Sequence, residues 1–102
     1  MKIITICGSL KFQTEMMIES QKLALQGNCI FTPVYPILDN IVITKEQLQL
    51  LKEEHFKKIE LSDVIYVINK DNYIGESTKL EIEYAKFLNK EIIYYTDLVD
   101  IK

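Results

Sequence analysis

Glu81 is a carboxylate set where a helix should be apolar. The stretch around it, residues 69–85 (NKDNYIGESTKLEIEYA), follows an apolar run, Val64-Ile65-Tyr66-Val67-Ile68. A polar turn of Gly75, Glu76, Ser77 and Thr78 then leads into a helical pattern. At about 100° per residue, Leu80, Tyr84, Ala85, Phe87 and Leu88 share one arc, and Glu81 falls inside it. The spacing leaves two readings open. Thr78-Lys79-Leu80-Glu81 has the form of a capping box, with Glu81 reaching back to the helix N-terminus. A carboxylate there can equally be a nucleophile, kept ionised by the helix dipole.

Other residues could join it. Gly8-Ser9-Leu10 and Gly75-Glu76-Ser77 each lie between a strand pattern and a helix pattern. Their N–H groups and hydroxyls suit a phosphate at a helix N-terminus, although Ser and Thr there also serve as caps. His55, the sole histidine, shares a helix face with Leu48, Leu51 and Ile59, so it points inward, as a core residue or as a partner of Glu81. Tyr35 and Tyr73 sit in loops where a ring could stack on a base. Tyr66, Tyr94 and Tyr95 read as strand residues, Asp63 as structural, and Met16-Met17 as helix packing. Cys7 and Cys29 lie in apolar runs and read as buried small residues. No metal site and no cofactor is expected.

These residues need elements to position them. Ile3-Ile4-Thr5-Ile6-Cys7 is β-rich and ends at Gly8-Ser9. A helix is predicted over 12–26, stopped by Gly27. A strand over 29–32 gives way to Pro33 and Pro36, and residues 34–43 are an irregular loop, a lid or a plain surface segment. Thr44, with Gln47 as its capping-box partner, opens a helix ending near Leu61-Ser62. A strand over 64–69, a helix over 77–88 and a strand over 92–95 complete the order, and 96–102 adds a turn or docking tail.

Alternating strands and helices, with strands apolar throughout, predict a parallel sheet covered on both faces. The expected fold is a single domain over 1–102. It is a Rossmann/flavodoxin-like three-layer sandwich of order 2-1-3-4, with helices on both faces. Ligands of such sheets bind beyond the carboxyl ends of the strands where the winding reverses, here between strands one and three. The Gly8 and Gly75 loops meet there.

Composition narrows the partners. The chain has 102 residues, a net charge of −3 and no arginine. That argues against a nucleic-acid groove and against bidentate clamping of phosphate. No apolar run approaches the about 18 residues of a membrane span, and the N-terminus is no signal peptide, so a soluble, cytoplasmic protein is expected.

Cys7-Gly8-Ser9, the run Asp63-Val64-Ile65-Tyr66-Val67 with its Gly/Ser turn, and Glu81-Ile82-Glu83-Tyr84-Ala85 resemble one known pattern. It belongs to the nucleoside 2-deoxyribosyltransferase superfamily, which includes 2′-deoxynucleoside 5′-phosphate N-hydrolases. The resemblance covers nearly the whole chain through short motifs. It implies that Glu81 is the nucleophile that cleaves the N-glycosidic bond of a deoxynucleoside or its 5′-monophosphate. It places Ser9, Gly75 and Ser77 at the 5′-phosphate and implies a homo-oligomer, a dimer or larger, that shares site residues. The chain departs from the pattern with Glu83 for a glycine, Thr5 for a tyrosine, and His55 where an acid/base aspartate is common. His55 could orient Glu81 or shuttle a proton near neutral pH. The alternatives are a nucleotide-binding or sensing module, in which Glu81 only caps, and a glycohydrolase of NAD-like substrates.

Overall fold

The structure is a computed structural model that describes residues 1–36, 38 and 41–99. Four parallel strands form one sheet in the order β2-β1-β3-β4, with β1 Ile3–Gly8, β2 Cys29–Phe31, β3 Val64–Ile68 and β4 Glu91–Tyr94. The register runs Ile4↔Val64 to Gly8↔Ile68 between β1 and β3, so these two strands end level. Asp63 sets the other end: its carboxylate accepts the Ile3 N–H at 2.8 Å, and its own N–H donates to the Ile3 carbonyl at 2.8 Å.

Side-chain alternation divides the core in two. Ile4, Ile6, Val64, Tyr66 and Ile68 face helix α1 (Gln13–Leu25), whose Met16 is fully buried among them. Cys7, Ile65 and Val67 face the other way, against Ile59 of α2 (Lys45–Leu61) and Ile82 and Ala85 of α3 (Glu76–Phe87). The molecule is thus a single-domain α/β sandwich with helices on both faces. No helix among the described residues is long and apolar enough to cross a membrane.

Capping explains where α2 starts. The Thr44 hydroxyl accepts the Gln47 N–H at 3.1 Å, and the Gln47 side chain accepts the Thr44 N–H at 3.0 Å. The α2 face that carries His55 and Ile59 is buried at its C-terminal half only, since Leu48 and Leu51 are 49% and 36% exposed. Beyond β4 the chain is more regular than a turn. Tyr95 begins a short helix, α4 (Tyr95–Val99), rather than extending the strand. Asn69, just past β3, holds it there: its side-chain oxygen accepts the Thr96 N–H and its amide donates to the Thr96 hydroxyl, each at 3.1 Å.

Two expectations about α3 are overturned. The helix starts at Glu76 with Gly75 as its N-cap, so Thr78 lies inside it and cannot cap it. Its buried stripe is Thr78, Ile82 and Ala85, at steps of four and three, whereas Leu80 and Phe87 are 62% and 77% exposed. The apolar arc read from the sequence is therefore rotated from the true one, and Glu81 sits on the flank of the stripe. Parts of the 34–43 loop and of the tail, residues 37, 39, 40 and 100–102, lie outside the described residues.

Candidate active site

Because β1 and β3 end level and their following helices lie on opposite faces, a cleft opens at their carboxyl ends. It holds a cavity of about 460 Å³, within the usual range for small-molecule sites. Gly8, Ser9 and Leu10 form one wall, and Gly75, Glu76, Ser77 and Thr78 at the start of α3 form a second. His55, Leu48 and Leu51 of α2 form a third, with Lys52 and Glu54 beside them, and Pro33 and Val34 close the side after β2. Glu81 lies at the junction of α2 and α3. All the site residues expected from the sequence, Gly8, Ser9, Leu10, His55, Gly75, Glu76, Ser77 and Glu81, line this one space.

Glu81 does not cap its helix. It is the sixth residue of α3, well past the first turn where a reach back or a dipole effect operates. Its Oε1 lies 3.6 Å from His55 Nε2, and its side chain is only 17% exposed. His55 Nε2 is also 3.5 Å from Cys7 Sγ, and Cys7 is fully buried. The result is a buried cluster of thiol, imidazole and carboxyl at the base of the cavity.

Burial decides the protonation of this cluster. Desolvation raises the Glu81 pKa to about 7, opposed in small part by a hydrogen bond with the Cys7 thiol. This reverses the expectation that the helix end keeps Glu81 readily ionised. His55 is lowered to about 4, first by desolvation and then by the nearby charge of Lys58. Burial and the adjacent Glu81 push the Cys7 thiol well up, so it stays protonated. The His55–Glu81 distance would suit an ion pair, but desolvation opposes creating two charges there, and burial is the dominant cause for both groups. Between about pH 4 and pH 7 Glu81 therefore carries a proton while His55 is neutral, so the two groups hold one titrating proton between them.

This changes the role open to His55. Its Nδ1 is buried and has no hydrogen-bond partner among the described residues. A bare lone pair there costs less than an orphaned N–H, so the proton of the neutral ring belongs on Nε2, facing Glu81 and Cys7. His55 can orient Glu81, but it cannot shuttle protons near neutral pH. The group that titrates there is Glu81 itself.

Other expectations resolve against the same geometry. Thr5, on the same sheet face as Cys7, bonds to the Ser62 hydroxyl and at 3.1 Å to the Lys58 carbonyl, so it is structural. Tyr35 packs onto the α1-side core. Tyr73 and Phe12 form a T-shaped pair, with the Lys11 ammonium 3.3 Å from the Tyr73 centroid. Neither tyrosine is among the described residues that line the cavity, so neither ring is placed for stacking there. Apolar contact comes from Leu10, Val34, Leu48 and Leu51 instead.

Cys7 is the participant that sequence reasoning passed over. Its signal was position: it is the last inward residue before the Gly8 turn, on the face shared by α2 and α3. Gly8 itself is required by space. A Cβ there would stand 3.0 Å from the Ile68 carbonyl oxygen and 3.3 Å from the Ile68 Cβ. Gly75 is required by neither space nor dihedral (φ −77°), but it leaves α3 without a side-chain cap. Among the described residues no side chain caps the first N–H groups of that helix, which can meet a ligand in the cavity.

Fold and site together define a small parallel α/β protein with a largely buried carboxyl at the switch-point cavity. Compared with known proteins, the chain matches no family model and no curated protein. The chemistry rests on the geometry.

Proposed function

We propose that this protein cleaves the N-glycosidic bond of a deoxynucleoside or, preferentially, a deoxynucleoside 5′-monophosphate, by hydrolysis or transfer. The observation that carries the reading is Glu81. It is a desolvated carboxyl that faces a nucleotide-sized cavity and titrates near neutral pH. A carboxylate of raised pKa is the more basic and thus the better nucleophile, and about half is ionised at pH 7.

In this mechanism Glu81 attacks C1′ as the C1′–N bond breaks, through an oxocarbenium-like state, to give a glycosyl-enzyme. Water or a second base then takes the sugar. His55, neutral, packs its Nε2 edge 3.6 Å from the carboxylate and holds it in line. Lys52, Glu54 and Glu76 are the other ionisable groups on the cavity wall within which the base departs. The open N-terminus of α3 favours a 5′-phosphate over an unphosphorylated sugar, since no arginine is present to take that role.

Assembly is part of the same reading. Ile41, Ile43 and Leu50, which are 55%, 43% and 63% exposed, line a groove that shares Leu51 and Glu54 with the cavity. A mostly apolar groove of this kind suits a second copy of the chain, as a homodimer or larger oligomer.

The deciding experiment incubates the protein with the four deoxynucleosides and their 5′-monophosphates and measures free base. Release by wild type and its loss in Glu81→Ala are expected. No release from any of them, with ligand binding intact in both proteins, would refute the enzyme reading and leave a binding module.

A further inference from the structure

We propose that Cys7, His55 and Glu81 form a three-ligand site for a zinc-like divalent metal, with its fourth position open to the cavity. The donor atoms Sγ, Nε2 and Oε1 come from β1, α2 and α3, and all lie within 4.8 Å of one another. The separations are 3.5 Å from Sγ to Nε2 and 3.6 Å from Nε2 to Oε1. Bonds of about 2.3 Å to sulfur and about 2.0–2.2 Å to nitrogen or oxygen, at tetrahedral angles, put neighbouring ligands roughly 3.3–3.6 Å apart. The two separations through His55 already have that spacing, and the third, from Sγ to Oε1, closes within 4.8 Å.

Donor chemistry selects the metal. One thiolate, one imidazole and one carboxylate form a borderline set suited to Zn²⁺ or Co²⁺ rather than Mg²⁺ or Ca²⁺. Charge also balances, because a divalent ion with one thiolate and one carboxylate is neutral in a buried place. On binding, the Cys7 S–H proton, and the Glu81 proton where present, pass to water as the metal–sulfur and metal–oxygen bonds form. His55 and Glu81 line the cavity whereas Cys7 lies behind them, so the vacant coordination position faces the cavity and takes water. One feature sets a limit on affinity. With Nε2 on the metal, Nδ1 carries the ring proton and has no acceptor among the described residues, and a missing second contact of this type weakens binding about 10–100-fold.

A metal held here would occupy the Glu81 lone pair, so zinc would inhibit the glycosidic chemistry rather than assist it. The site can be tested without substrate, so its failure is separate from failure of the proposed activity. Chelator-treated full chain is titrated with Co²⁺ and Zn²⁺. One equivalent should bind, with a thiolate-to-cobalt charge-transfer band. Cys7→Ser should lose the band, and Cys7→Ser, His55→Gln and Glu81→Gln should each weaken Zn²⁺ binding at least tenfold, while Cys29→Ser binds as wild type does. X-ray absorption at the zinc edge of the wild type, which needs no variant to fold, should show one sulfur ligand with nitrogen and oxygen making up the rest. No uptake by wild type, a band that survives Cys7→Ser or disappears in Cys29→Ser, or an absorption spectrum without sulfur overturns the proposal.

Discussion

Replacing Glu81 by Gln removes one proton site and leaves the shape of the cluster, and its effect on stability depends on pH in a way the structure specifies. In the folded wild type the pair binds one proton from about pH 4 to pH 7. Unfolded, a glutamate titrates near 4.5 and a histidine near 6.5. Between those two values the unfolded chain also binds one proton, so the pair contributes no slope, although each group is strongly shifted. In Glu81→Gln only His55 remains, depressed from 6.5 to about 4. The unfolded chain now binds the extra proton in that interval, so stability climbs with pH until the unfolded histidine is deprotonated. His55→Gln leaves only Glu81, raised from 4.5 to about 7, and stability falls as pH rises through that interval. Each shift spans about 2.5 units at about 1.4 kcal/mol per unit, so each variant drifts from wild type by at most about 3–4 kcal/mol. For a domain of this size that is roughly 10 °C or more in Tm. Urea unfolding of the three proteins from pH 4 to 8 reads it, and subtracting wild type removes the background from the exposed carboxylates. Curves for Glu81→Gln and wild type that run parallel would refute the reasoning, since Glu81 would then titrate as a solvated carboxyl.

Further outcomes follow from other contacts. Base release by the wild type should rise with pH through about 7 and then level, because the ionised form of Glu81 attacks, and a pH profile of kcat/KM reads this. Gly8→Ala forces a Cβ against the Ile68 carbonyl and should cost about 1–3 kcal/mol by denaturant unfolding. Gly75→Asp caps α3 and so should raise stability by a few tenths of a kcal/mol, yet weaken inorganic phosphate or nucleotide binding measured by calorimetry, as its carboxylate claims the free N–H groups. Asp63→Ala leaves the Ile3 N–H without its 2.8 Å acceptor and should lower stability by about 1–2 kcal/mol in the same unfolding assay.

Patterns of short range were legible in the residues alone. The 2-1-3-4 parallel sheet follows from four apolar runs separated by helical ones, because a strand covered on both faces leaves no room for polar alternation. The start of α2 follows from Thr44 and Gln47, a contact three residues long. The place of the cavity follows from the reversal of winding, which brings Gly8 and Gly75 together whatever the side chains between them. Helix phase was less legible. The rotation of α3 is set by what the sheet can accommodate, so Thr78 is buried where Leu80 and Phe87 are not.

The environment of Glu81 belongs to tertiary structure altogether. Spacing placed it one turn into a helix, where a cap and a nucleophile look alike. Only the packing of α2 and α3 over β1 sets His55 and Cys7 against it, from positions 26 and 74 residues away in the chain. A pKa depends on which atoms replace water around the group, and residues distant in sequence supply those atoms. The sequence therefore determined that a carboxyl stands at the switch point. The fold decided that it is desolvated, that it stands against a neutral histidine, and that a buried thiol completes the cluster.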